Sequence, residues 1–104
     1  MVYLSNAFSL QMLDLNKGAS IETTPVGIEE VAQSGFYSVV GHQDTADVLT
    51  ALLGVEVSMN RVSNRLTNAD VLYVAQVTGG RLPEGTTALP PGRSFTFIKV
   101  TVRQ

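Results

Sequence analysis

His42 is the only histidine in 104 residues, and there is no cysteine. Chemistry that needs an imidazole or a thiol near neutral pH therefore falls to this one side chain. It stands in Gly41-His42-Gln43-Asp44-Thr45, just after the aromatic and β-branched run Phe36 to Val40. Beyond it, Val48, Leu49, Leu52 and Leu53 recur at helical spacing. A strand-to-helix turn of this kind offers backbone N–H groups and the positive end of a helix dipole to an anion. The same place also suits a surface histidine with no chemistry to do. A second constellation is Thr78-Gly79-Gly80-Arg81-Leu82-Pro83-Glu84-Gly85, a loop shaped by paired glycines and a proline that carries one base and one acid. It lacks the spacing and the lysine of a phosphate-binding P-loop. Charged residues carried off a rigid strand often act on ligands; the plain alternative is an exposed Arg81–Glu84 pair of little energetic consequence.

The elements that must position these groups follow from periodicity. Phe36 to Val40 suits a buried strand. In the helix after His42, Asp44 is a good N-cap, Asp47 occupies a capping-box-like place and Gly54 a plausible stop. Val71 to Val77 is the strongest strand, apolar enough to lie centrally with both faces covered, and Gln76 is its one polar member, beside the Arg81 loop. Val2 to Leu4 reads as a strand leading into a turn and a short helix. There Asn6 or Ser9 serves as a cap, or Asn6, Ser9 and Gln11 line a pocket. Asn16-Lys17-Gly18 is a turn, Ile21 to Val26 a strand that Pro25 assigns to an edge, and Ile28 to Gln33 a short helix. Val55 to Met59 and Arg61 to Leu66 read as extended chain, the second with Arg61, Ser63 and Arg65 on one polar face. After an irregular connector over Thr86 to Gly92, Ser94 to Val102 alternates as a last strand. The expected fold is α/β (α+β), a single domain over residues 1–104 whose mixed sheet of about five strands is flanked by short helices.

Composition narrows the function classes. A net charge of −2 argues against coating duplex nucleic acid through bulk electrostatics. Five of the seven basic residues are arginine, the side chain suited to forked contacts with phosphate, so a small anion site is favoured over a broad one. The start of the chain lacks a basic segment followed by an apolar one, and no apolar run reaches the roughly 20 residues of a membrane span. Without cysteine, disulfides and thiolate metal sites are excluded, and a cytoplasmic location is expected, that of a host cell if the chain is viral.

Asn6-Ala7-Phe8-Ser9-Leu10 with Met12-Leu13, Gly41-His42-x-x-Thr45, Asn60-Arg61-Val62, Leu72-Tyr73-Val74-x-Gln76 and Arg81-Leu82-Pro83-Glu84-Gly85 stand in this order. In that order they resemble the viral type III anti-CRISPR ring nucleases, a family of archaeal viruses, phages and bacterial genomes. The resemblance implies a homodimer that binds cyclic tetra-adenylate, the messenger of type III CRISPR complexes, and cuts it without a metal or other cofactor. It implies that His42 is the catalytic residue, that Glu84 assists or orients it and that Arg81 holds the ligand. Asn6, Ser9, Gln11, Asp44, Thr45, Arg61 and Gln76 match positions expected to line the pocket. Gln11 stands where a relative carries another amide and Asp44 where it carries serine. After Gly85 relatives continue into an acidic helix, whereas this chain has a shorter Pro-Pro-Gly connector.

The residues agree with that chemistry. The ligand's own 2′-hydroxyl can attack the adjacent phosphorus, which leaves the protein to align the attack, stabilise the phosphoryl oxygens and protonate the departing 5′-oxygen. A protonated His42 is the natural donor. Two other classes fit less of the sequence. A non-catalytic binding dimer would have no need of His42 with Glu84, and a DNA-binding regulator using the Arg61–Arg65 face is disfavoured by the weak charge. One histidine and scattered carboxylates make a poor metal nuclease.

Overall fold

A computed structural model describes residues 1–104. Five strands form one mixed sheet: β1 (Val2–Ser5), β2 (Ser20–Val26), β3 (Tyr37–Ser38), β4 (Val71–Thr78) and β5 (Ser94–Arg103), in the order β2-β5-β4-β1-β3. β1 runs parallel to both β3 and β4, while β5 is antiparallel to β4 and β2. Two helices, α1 (Ile28–Ala32) and α2 (Gln43–Leu53), and a 3-10 turn at Leu10–Met12 complete the fold. This is the α+β domain that the periodicity predicts.

β4 is central, as its unbroken hydrophobicity requires. On one face Tyr73 and Ala75 pack with Leu4, Phe97 and the α2 residues Ala46, Leu49 and Leu53. On the other, Leu72 and Val74 pack with Val100, Val102, Leu13 and Leu66. The register Leu72↔Val100 and Ala75↔Phe97 sets apolar side chains opposite one another on both faces. α1 is tied down where the Tyr73 hydroxyl donates to Glu30 Oε2 at 2.8 Å. Burial, then this bond and the Glu30 charge, push the Tyr73 phenol up to about 12. Pro25 lies in β2, an edge strand, as expected.

Three local expectations are corrected. The Phe36–Val40 strand shrinks to Tyr37–Ser38, because β1 offers a short partner and β3 is the other edge; Val40 keeps a single bridge to Met59. The chain from Val57 to Leu66 forms no strand, apart from the single bridge at Met59, so Arg61, Ser63 and Arg65 make no strand face. Val57 is buried in the helix-side core and Leu66 in the opposite one, so the segment wraps around the β3 edge rather than pairing along it. The N-cap of α2 is His42 and not Asp44, which sits in the first turn. The His42 carbonyl already accepts from the Ala46 N–H at 3.0 Å, which starts the helix two residues early. Gly54 ends α2 at φ 72, a left-handed conformation that favours glycine.

Candidate functional site

The parallel strands β1 and β4 end beside the N-terminus of α2, the arrangement in which open α/β sheets place ligands. At this end lies an open cleft of about 400 Å³. Asn6 follows β1, Gln76 and Val77 lie near the end of β4, just before Thr78, and His42, Asp44 and Thr45 come from the start of α2. Arg81, Leu82 and Glu84 reach it from the loop after β4, and Phe95 from the start of β5. Seven of the ten residues singled out in the sequence therefore share one cleft: Asn6, His42, Asp44, Thr45, Gln76, Arg81 and Glu84.

The turn that presents His42 is held from two sides. Asn6 Oδ1 accepts from the Gly41 N–H at 3.2 Å, and Arg61 Nε donates to the Gly41 carbonyl at 3.1 Å. Arg61 thus supports the back of the turn and does not line the cleft. Ser9 and Gln11 do not line it either. Ser9 Oγ caps the 3-10 turn, accepting from the Gln11 N–H at 3.2 Å, and Gln11 borders a separate hollow with Asp14, Ser63, Asn64 and Arg65. The Ser9 hydroxyl fits a cap as well as a pocket, and capping is the role seen; Gln11 takes part in that cap only through its backbone N–H.

The Arg81 loop is shaped by its glycines. Gly79 and Gly80 have φ 90 and 118, and Gly79 lies so close to the Gly92 carbonyl that a methyl group has no room. Arg93, packed over Gly80, donates from Nε to the Arg81 carbonyl at 3.2 Å. Arg81 and Glu84 form no ion pair with each other, contrary to the plain reading of the loop, so both heads stay available to a ligand. The His42 side chain makes no capping bond. The cleft thus offers one imidazole, one guanidinium, two carboxylates, two amides and a hydroxyl, around an apolar wall of Ala75, Val77, Leu82 and Phe95. No three imidazole or carboxylate groups of the chain converge so as to hold a metal ion.

The apolar wall and the Arg93 support were not singled out in the sequence. Val77 at the end of one expected strand and Phe95 at the start of the last, both apolar and both next to the loops, were the available signal for the first. For the second, the sequence offered Gly79-Gly80 and Pro90-Pro91-Gly92 as turns, and only the structure brings them together.

A sequence profile of the STIV B116-like family matches residues 2–90. "Uncharacterized protein 26" of Sulfolobus islandicus filamentous virus (isolate Iceland/Hveragerdi) is 35% identical over 89 residues, covering 82% of this chain and 74% of that protein. B116 of Sulfolobus turreted icosahedral virus shares the fold, with a TM-score of 0.70 at 21% identity over 96% of this chain and 97% of that one. No helix is long and apolar enough to cross a membrane. The match over nearly the whole chain, together with the viral relative, shows that this protein belongs to the STIV B116-like family.

Proposed function

We propose that the protein is a ring nuclease that binds cyclic tetra-adenylate and cuts it to linear di-adenylate ending in a 2′,3′-cyclic phosphate. In this role it removes the messenger of type III CRISPR immunity in the cytoplasm of the cell. The observation that carries the reading is the convergence of the chain's only imidazole with Arg81 and Glu84 in one polar cleft. The order of motifs from Asn6 to Gly85 supplies the substrate class.

The reaction needs no group beyond those in the cleft and the ligand. The 2′-oxygen of one adenylate attacks the adjacent phosphorus and gives up its proton to the Glu84 carboxylate. As that bond forms, the bond from phosphorus to the 5′-oxygen breaks, and the imidazolium of His42 protonates the departing oxygen. Arg81 and the N–H groups at the start of α2 carry the charge on the phosphoryl oxygens. Asn6, Thr45 and Gln76 can read base edges or riboses, and Phe95 gives a base an apolar surface. A four-membered ring is larger than one such cleft. In a twofold homodimer two copies of the cleft would meet opposite phosphates, and two cuts would give two di-adenylates.

The test is incubation with cyclic tetra-adenylate in excess EDTA, beside His42→Ala, with products read by mass spectrometry. The reading expects linear di-adenylate with a cyclic phosphate from the native protein and almost none from the variant. A ligand that stays intact but binds tightly would mean a nucleotide sponge. Neither binding nor cleavage would mean that the family fold is used here for something else.

A further inference from the structure

One hydrogen bond joins the Arg81–Glu84 loop to α2: the Gly85 N–H donates to Asp44 Oδ2 at 3.0 Å. It links positions 41 residues apart in the chain. Asp44 lies two residues after His42, and Gly85 directly follows Glu84, so this bond spans the two groups assigned to acid–base work. The loop's other bonds, from Arg93 Nε to the Arg81 carbonyl and from Thr86 to the Pro83 carbonyl, join it only to itself and its own connector. A carboxylate in the first turn is favoured by the helix dipole, yet it repels a ligand made of phosphodiesters. Both facts favour a structural duty for Asp44 over contact with the ligand.

We infer that Asp44 is a positioning residue: it latches the loop to the start of α2 and so sets the separation of His42 and Glu84 for the cleavage step. This inference rests on the proposed function and reassigns Asp44 within it, from lining the ligand to holding the machinery. Because the latch acts on alignment, it governs the rate of the cut more than the affinity for the ring.

Two variants of the full chain test it, Asp44→Ala, which removes the acceptor, and Asp44→Asn, which keeps one. Amide hydrogen exchange at Gly85 reads the latch without any ligand. It is expected to quicken by about 10-fold or more in Asp44→Ala and to stay near native in Asp44→Asn. Single-turnover cleavage of cyclic tetra-adenylate is expected to slow by about 10- to 100-fold in Asp44→Ala. Affinity, measured in a His42→Ala background, is expected to stay within about threefold, with Asp44→Asn restoring most of the rate. Unchanged Gly85 exchange would overturn the latch. A loss of affinity with the rate preserved would make Asp44 a ligand contact, and Asp44→Asn behaving like Asp44→Ala would make its charge, not the bond, the working feature. If the native protein leaves the ring intact, the proposed function and the catalytic part of this inference fall together. Gly85 exchange then still decides the latch.

Discussion

At the N-terminal end of β4, the Asp70 carboxylate takes hydrogen bonds from the Thr67 N–H at 2.8 Å, the Thr67 hydroxyl at 3.1 Å and the Met1 ammonium at 3.1 Å. Beside it, Asn68 and Gln104 exchange two bonds, and the Gln104 amide exchanges two more with the backbone of Asp14. At the C-terminal end of the same strand, Arg81 and Glu84 stand within one loop and do not pair, and His42 caps nothing with its ring. Both ends are rich in polar side chains, but the Asp70 end pairs them with one another and with the backbone. The other end engages Asn6 and Asp44 with backbone N–H groups and leaves His42, Arg81 and Glu84 unpaired at the cleft. Paired groups add to stability, whereas unpaired, convergent ones are what a ligand can use. The Asp70 end thus holds the fold, and the open end presents the groups that the proposed function assigns to a ligand.

The sharpest way to break this division is to exchange the effects of the two ends. His42→Ala is expected to lower single-turnover cleavage by about 10²- to 10⁴-fold, the usual contribution of a positioned acid, while the melting temperature stays native. A comparable loss of stability in this variant would contradict the division. Gly79→Ala tests the supports of the open end. Its methyl would overlap the Gly92 carbonyl at a backbone angle suited to glycine, at a cost of about 3 kcal/mol in chemical denaturation, the upper range for strained backbone.

Asp70→Ala is the mirror image of His42→Ala. It is expected to cost about 2 kcal/mol, because the Thr67 donors and the ammonium lose a buried partner, with cleavage per folded molecule unchanged. Burial alone would raise the Asp70 carboxyl, but the Thr67 N–H, the N-terminal ammonium and the Thr67 hydroxyl hold it below its ordinary 3.8. A carboxylate lowered in the folded state gives stability that is present above its unfolded value and lost as pH falls through the folded one. Acid titration of stability should therefore show a limb that Asp70→Ala flattens. The smallest effect is expected for Tyr73→Phe, about 1 kcal/mol for one hydrogen bond. The phenol is raised from 10.0 to about 12, so the stability it gives is complete below 10.0 and fades as pH rises toward 12. Phenolate absorbance against pH, with and without Tyr73, checks the sign.

Much of the open end was legible in the sequence, because its signals are local. The apolar run of β4 fixes its central place, and a lone histidine after Gly41 and a Gly-Gly loop after the strand both project from sheet ends. What escaped the sequence depends on contacts between distant segments. Asp44 reads as an N-cap by residue type, but its carboxylate is engaged by Gly85, and the helix starts at the turn that Asn6 and Arg61 hold. Arg61 looks like a strand-face cation until the β3 edge diverts the chain. Ser9 and Gln11 have side chains suited to a pocket, and only the path after β1 shows that they leave the cleft.

The central claim is that the open end of β4 is where the ligand binds. Titration of cyclic tetra-adenylate into ¹⁵N-labelled His42→Ala protein tests it most directly. The account predicts saturable shifts at the amides of Asn6, Gly41 to Thr45, Gln76 and Arg81 to Gly85, with those of Thr67 to Asp70 and Gln104 unmoved. An unchanged spectrum, or shifts centred on the Asp70 end, would contradict it.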